Sequence, residues 1–125
     1  MEDNIRKAKG KSSEDYACRF LKRSGYKIIC RNFTCKTGEI DIIVLDKKTT
    51  ELVFVEVRFR EYGIDAAIDS VAYTKRKRIF KAAAFFLLIN QVFAEYNTRF
   101  DIIALTMDDK KRWQLEHIQD AFRNW

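Results

Sequence analysis

Two apolar stretches, EIDIIVLD at 39–46 and ELVFVEVRFR at 51–60, carry acids where a strand tolerates them least. Both are rich in β-formers, and the four polar residues at 47–50 between them read as a turn. Together they predict an antiparallel hairpin. Glu39 and Asp41 punctuate the first strand, and Glu56 stands amid Val53, Phe54, Val55 and Val57 in the second. Strand side chains alternate between faces, so Leu52, Phe54, Glu56, Arg58 and Arg60 share one face. Val53, Val55, Val57 and Phe59 take the other. Glu56 and Arg58 are then ~7 Å apart along the strand. Alternation also puts Glu39 and Asp41 on one face, and a suitable hairpin register brings Asp41 close to Glu56.

Two carboxylates in a largely apolar sheet repel each other and resist ionisation unless something positive sits between them. Arg58 can supply that charge as a structural ion pair. So can a hard divalent cation: Mg²⁺ suits one or two carboxylates, retained waters and a substrate phosphate. There it orients a phosphodiester, stabilises developing charge and helps generate hydroxide. Periodicity leaves both readings open.

The rest of the chain frames that hairpin. With 125 residues, no proline, glycines only at 10, 25, 38 and 63, and no repeat or linker, residues 1–125 read as one unit. Residues 12–24 predict a helix capped by Ser12, with Ala17, Phe20, Leu21 and Ser24 on one face and Gly25 ending it. Residues 26–33 predict a strand and Gly38 opens the next. Residues 70–90 hold no glycine or proline and favour helix, a natural crossover. Strands follow at 99–106 and, more weakly, 113–118, with a short helix from Gln119. A mixed sheet flanked by helices results.

Charge is uneven. Residues 1–36 hold ten basic and four acidic side chains, residues 37–74 four and eight, and residues 75–125 ten and six. An acidic centre thus lies between basic flanks, within a chain of net charge +6. Phosphates need Lys and Arg while a cation needs carboxylates, so this distribution fits a polyanionic partner. The densest basic stretch, Lys75, Arg76, Lys77, Arg78 and Lys81, reads equally as a solvated helix face or a phosphate-contacting one. A single histidine, His117, excludes a multi-histidine metal site, and it reads as packing. Cys18, Cys30 and Cys35 read as isolated thiols of a reducing cytoplasm. No secretory signal is visible, and the longest apolar run, 82–89, is far short of the roughly 20 residues that span a membrane. Phe54, Phe59, Phe85, Phe86 and Phe93 read as core. Asp101 reads as structural, paired with Arg99 or Arg58.

GEID at 38–41 followed by FVEVR at 54–58 resembles the signature of the bacterial YraN-like family, a branch of the PD-(D/E)XK superfamily related to Holliday-junction resolvases and restriction endonucleases. The resemblance covers most of the chain. Glu14, Ala17, Leu21, Gly25-Tyr26 and Arg31-Asn32 match upstream; Lys75 to Ile79, Ala83, Arg99-Phe100-Asp101, His117-Ile118 and Ala121-Phe122 follow in order. It implies a restriction-endonuclease-like α/β fold with an α-β-β-β-α-β core and the active site on the second and third strands. It also implies that Asp41 and Glu56 hold Mg²⁺ or Mn²⁺, with Glu14 completing the site, the Val57 carbonyl available as a ligand and Glu39 secondary. The family motif ends in lysine, where this chain has Arg58. Arginine keeps the charge but is larger, forked and never deprotonated, so the exchange is not conservative.

The implied activity is a metal-dependent endonuclease cutting DNA, branched or damaged DNA included, with Asp41, Glu56, Arg58 and Glu14 catalytic. Arg60, Lys75, Arg76, Lys77 and Arg78 are the expected nucleic-acid contacts, DNA ahead of RNA. Two other classes remain open: a nucleic-acid-binding module whose catalysis is weakened at Arg58, and a structural or interaction protein whose Arg58 only neutralises Glu56 and Asp41. A homodimer is expected by analogy with the resolvases.

Overall fold

The computed structural model describes residues 2–61 and 63–123, with side chains left aside at 2–10 and 69. Helix α1 (Glu2–Arg23) precedes three strands, β1 (Tyr26–Cys35), β2 (Gly38–Asp46) and β3 (Glu51–Phe59). Helices α2 (Ile64–Asp69) and α3 (Tyr73–Ile89) follow, then a 3-10 turn at Gln91–Phe93 and strands β4 (Asn97–Met107) and β5 (Trp113–Phe122). The strands form one sheet in the order β1-β2-β3-β4-β5. Only β3 and β4 run parallel, which demands a crossover, and α2 and α3 supply it. This is the expected mixed α/β architecture with its α-β-β-β-α-β order, consistent with a restriction-endonuclease-like fold. Among the described residues, no helix is long and apolar enough to cross a membrane.

The hairpin forms as its sequence demands. Its ladder runs from Ile42↔Val55 to Asp46↔Glu51. In the turn, Lys48 N–H donates to Asp46 Oδ1 at 2.9 Å and Thr50 N–H to Asp46 O at 2.7 Å. Alternation in β3 sorts two cores. Leu52 and Phe54 pack with Ile79, Ala82, Ala83 and Phe86 of α3. Val53, Val55 and Val57 pack with Ala17, Cys18 and Leu21 of α1. The sheet is covered on both faces.

Several expectations give way to tertiary contacts. Helix α1 begins at Glu2 rather than Ser12, since residues 2–11 are mostly good helix formers and no proline stops them. The crossover is two helices, with α2 lying ahead of the predicted start at 70. No helix starts at Gln119; β5 continues to Phe122, opposite Phe100. Its register shifts beside Asp101, whose Oδ1 accepts the Asp120 N–H at 3.0 Å and holds Asp120 at φ 52°. Phe85, expected in the core, is 43% exposed. Gly25 does end α1, with φ 91° and Ser24 N–H donating to Phe20 O. The three cysteines are free thiols.

Gly38 is required by a close approach. A Cβ there would lie 2.9 Å from the Arg78 carbonyl oxygen and 3.0 Å from Arg78 Cβ. Backbone cannot swing aside as a side-chain tip can. Gly38→Ala is therefore expected to lower stability by about 1–3 kcal/mol, read as a fall in the urea midpoint at unchanged slope. An unchanged midpoint would mean that α3 does not rest against β2 at this point.

Candidate functional site: a carboxylate pair at the open end of the hairpin

The β2–β3 ladder stops at Ile42↔Val55. Beyond it the next residues are Asp41 and Glu56, and there a side chain replaces the backbone acceptor: Val57 N–H donates to Asp41 Oδ2 at 2.8 Å. The strand face shifts at the same point. Ile40 joins Ile43 in the α3-side core, whereas Ile42 and Val44 face α1. On β1, across from this irregularity, Asn32 adopts φ 54° between the Arg31↔Ile42 and Phe33↔Ile40 pairs. Simple alternation therefore fails for Glu39. It is exposed at the rim of a cleft rather than half-buried as Asp41 is.

Asp41 and Glu56 stand close enough for each charge to act on the other. Burial, and next the Glu56 charge, push the Asp41 carboxyl up to about 7. Glu56 is 3% exposed, yet it has charge partners. Lys75 Nζ lies 2.8 Å and Arg58 Nε 3.2 Å from its Oε1. Neither approach has hydrogen-bonding alignment, so Glu56 Oε1 and Arg58 Nε are both buried without a hydrogen bond. The oxygen is held by charge alone. A buried carboxylate oxygen in that state retains capacity for another ligand.

The sequence missed the role of Lys75. It stands in a run of basic residues that reads equally as a solvated or a phosphate-contacting face, but the crossover turns it inward onto Glu56. An ammonium thus reaches Glu56 from the first turn of α3. Only the three-dimensional path between β3 and β4 could have revealed this.

The other predicted residues divide into those the fold gathers and those it scatters. Glu14 is half-buried on α1, and its carboxyl is raised by burial and then by the charge of Asp41. Among the described residues no three His, Cys, Asp or Glu side chains form a ready-made cation cage. Glu14 therefore neighbours the pair without closing a triad around it. Arg60 is exposed just past β3, with Nη1 donating to the Phe59 carbonyl. Arg76 turns back onto the protein: its Nε donates to Val71 O at 3.0 Å and its guanidinium sits over the Phe122 ring. Lys77 and Arg78 are exposed. Lys36, Lys75 and Arg78 line the same cleft as Glu39, of about 540 Å³, with Thr34, Thr37 and Thr74. A basic, hydroxyl-rich cleft thus opens beside the acidic pair.

Asp101 and His117 lie elsewhere. Asp101 is fully buried against Arg99, not Arg58, and its Oδ2 makes a 2.7 Å hydrogen-bonding contact with His117 Nε2. The His117 ring packs edge-on to Phe20 and Tyr26, as a packing residue would.

Comparison with known proteins adds a lineage. The family described as "Uncharacterised protein family UPF0102" matches residues 13–105, a span that holds Glu14, Asp41, Glu56 and Lys75. A UPF0102 protein of Pseudomonas syringae pv. syringae is 37% identical over 123 residues, 98% of each chain. One from Pseudomonas putida strain W619 is 38% identical over 114 residues, 90% of this chain and 91% of its own. A third, from Stutzerimonas stutzeri, is 36% identical over 116 residues, 92% of this chain and 94% of its own.

Proposed function

The chain belongs to the UPF0102 family, and we propose that it is a divalent-cation-dependent endonuclease of the PD-(D/E)XK type that hydrolyses phosphodiester bonds in DNA. The observation that carries this reading is half-buried Asp41 beside buried Glu56 at the end of an opened ladder, next to a basic cleft. A hairpin that needed only stability would place apolar residues there. Mg²⁺ or Mn²⁺ fits the donor set: two adjacent carboxylates, all-oxygen and hard, one of them with a buried oxygen lacking a hydrogen bond. Asp41 and Glu56 would hold the cation, with Glu14 adding negative charge from α1. When bound, the cation supplies Lewis acidity toward the phosphate and a lowered water pKa.

The chain's own residues do the rest. Val57 N–H fixes the Asp41 carboxylate. Lys75 presents a positive charge where a phosphate would gain charge during attack. Arg58 keeps its guanidinium beside Glu56, and Arg60, Lys77 and Arg78 offer exposed cations to the flanking backbone. Three free thiols suit a reducing compartment, the cytoplasm.

If Lys75 supplies the ammonium, Lys75→Met lowers the cleavage rate about 100-fold, whereas Arg58→Lys changes it by less than about fivefold. A gain of tenfold or more in Arg58→Lys would instead return the role to the strand position.

The test is cleavage of labelled linear duplex, single-stranded and four-way-junction DNA with Mg²⁺ or Mn²⁺, comparing wild type with Glu56→Gln. Cation-dependent cleavage by wild type, lost in Glu56→Gln, is the expected result. Salt-sensitive binding of the same DNAs without cleavage would make the protein a binding module, a reading favoured by the Arg58–Glu56 ion pair.

A further inference from the structure

Tyr73 opens helix α3 and is 69% exposed. It belongs to neither core. Lys77, one turn along, holds its Nζ 4.8 Å from the ring centroid and is itself exposed. Helical residues three and four apart are neighbours, so the Tyr73–Lys77 row runs beside the Thr74–Arg78 row. Thr74 and Arg78 line the cleft of about 540 Å³ next to the acidic pair. The β1–β2 turn reaches the same cleft, because Gly38 lies against the Arg78 backbone, and it contributes Lys36 and Thr37. Glu39 is the one acid besides these groups on the described cleft wall, and residues 70–94 contain none. An open aromatic ring thus adjoins a groove of cations and hydroxyls.

We propose that Tyr73 is a stacking platform for an unpaired base of DNA, and that the cleft beside it takes the backbone of the same strand. This rests on the DNA-binding part of the reading above and narrows the substrate to DNA with an unpaired segment beside the cut. Two properties select that ligand. Every base has a π-face, and aromatic rings set along a positive groove hold single strands with little regard to sequence. In a duplex each base is already stacked on both sides, so a ring on the protein surface gains a base only at an end, a gap or a branch. An apolar peptide would gain little from Lys36, Lys77 and Arg78, whereas backbone phosphates pair with all three. Lys77 over the ring also restrains the tyrosine, so less side-chain freedom is lost when a base stacks on it. The platform is well placed for the chemistry. Tyr73 precedes Lys75 by two residues, about 3 Å along the helix axis, and Lys75 Nζ lies 2.8 Å from Glu56. Tyr73 is therefore a specificity-determining residue, choosing unpaired over paired DNA at the carboxylate end of α3.

Fluorescence anisotropy with labelled single-stranded and duplex DNA, in EDTA so that nothing is cut, tests this. Tyr73→Ala is expected to weaken single-strand binding about 10-fold and duplex binding by less than about twofold, while Tyr73→Trp keeps both. The position is exposed, so circular dichroism should be unchanged in either variant. Arg78→Gln, by contrast, should weaken both DNAs and flatten the salt dependence. A single strand carrying 2-aminopurine reports stacking itself. Its fluorescence should fall on binding to wild type and Tyr73→Trp, and much less on binding to Tyr73→Ala. A Tyr73→Ala protein that binds single strands as tightly as wild type, or that loses duplex affinity equally, would overturn the platform even where Mg²⁺-dependent cleavage proceeds. Tyr73-dependent binding without cleavage in Mg²⁺ would uphold the platform and remove the nuclease. A wild type that binds neither DNA would overturn the platform whatever its cleavage activity.

Discussion

Asp41→Asn is expected to make the cation-free protein more stable above pH 7 while erasing its stabilisation by Mg²⁺ or Mn²⁺. Burial and the Glu56 charge raise the Asp41 carboxyl to about 7 in the folded protein, against about 3.9 in the unfolded chain. The folded form therefore holds its proton more tightly. That contribution to stability is fully present below pH ~4 and is lost as pH rises through 7. Three pH units correspond to roughly 4 kcal/mol. Asparagine keeps a carbonyl oxygen for the Val57 N–H and carries no charge at any pH. At pH 8.5 without cation the variant should gain about 2–4 kcal/mol over wild type, and at pH 4 close to nothing. A divalent cation reverses the order, because only wild type can be stabilised by RT ln(1 + [L]/Kd). Urea unfolding at both pH values, with and without Mn²⁺, checks all four combinations. An Asp41→Asn protein less stable than wild type in every one would mean that the carboxylate is structural.

The second large effect is expected away from the site. Arg99→Met should cost about 3–5 kcal/mol, because it strips the cation from a buried acidic cluster. Arg99 Nη1 donates to Asp46 Oδ2 at 2.9 Å and Glu51 Oε1 at 3.0 Å. Its Nε donates to Asp101 Oδ1 at 3.0 Å and its Nη2 to the Tyr26 hydroxyl at 2.8 Å. One guanidinium thereby ties the β2–β3 turn to β4 and to the start of β1. Burial works against the charge of Arg99, but its carboxylate hydrogen bonds outweigh that and hold its pKa above the usual value. Burial likewise pulls Asp46 upward, and Arg99 with the Lys48 N–H outweighs it, leaving Asp46 below its ordinary value. The Asp46 contribution is present above the unfolded pKa near 3.9 and lost as pH falls through the lower folded one. The deficit of Arg99→Met should accordingly shrink in acid. Thermal unfolding at pH 7 and pH 3.5 measures this; a fall in Tm under about 3 °C at pH 7 would show that the cluster is satisfied without Arg99.

The two sites differ in how far the sequence exposed them. Strict period two from Leu52 to Arg60, bounded by a four-residue polar turn, leaves little choice about which side chains share a face. That face is the one observed: Phe54 packs on α3, and Glu56 and Arg58 touch. Asp41 beside Glu56 was expected only for a suitable register, which the sequence left open and the Ile42↔Val55 ladder supplies. The place of Glu39 did not follow, because alternation breaks where the Asp41 side chain takes over a backbone bond, and nothing local announces such an exchange. Lys75 was visible only as one cation among several. Which of them turns inward depends on how α3 lands on β2, through contacts such as Arg78 against Gly38. The end of β5 was misread for a similar reason: Asp120 is held by Asp101, nineteen residues away in sequence. Phe85 resembles its neighbours Phe86 and Phe93 in composition, and only the orientation of α3 makes it the exposed one.

Cation binding by the carboxylate pair is most directly read by titrating the protein with Mn²⁺ and following the free ion by electron spin resonance. About one Mn²⁺ should bind per wild-type chain at pH 8. Asp41→Asn and Glu56→Gln should each weaken it at least ~10-fold, and Glu39→Gln should leave it unchanged. A wild type that binds no Mn²⁺, or a Glu56→Gln protein that binds it as tightly, would contradict the assignment of these two acids as the cation site.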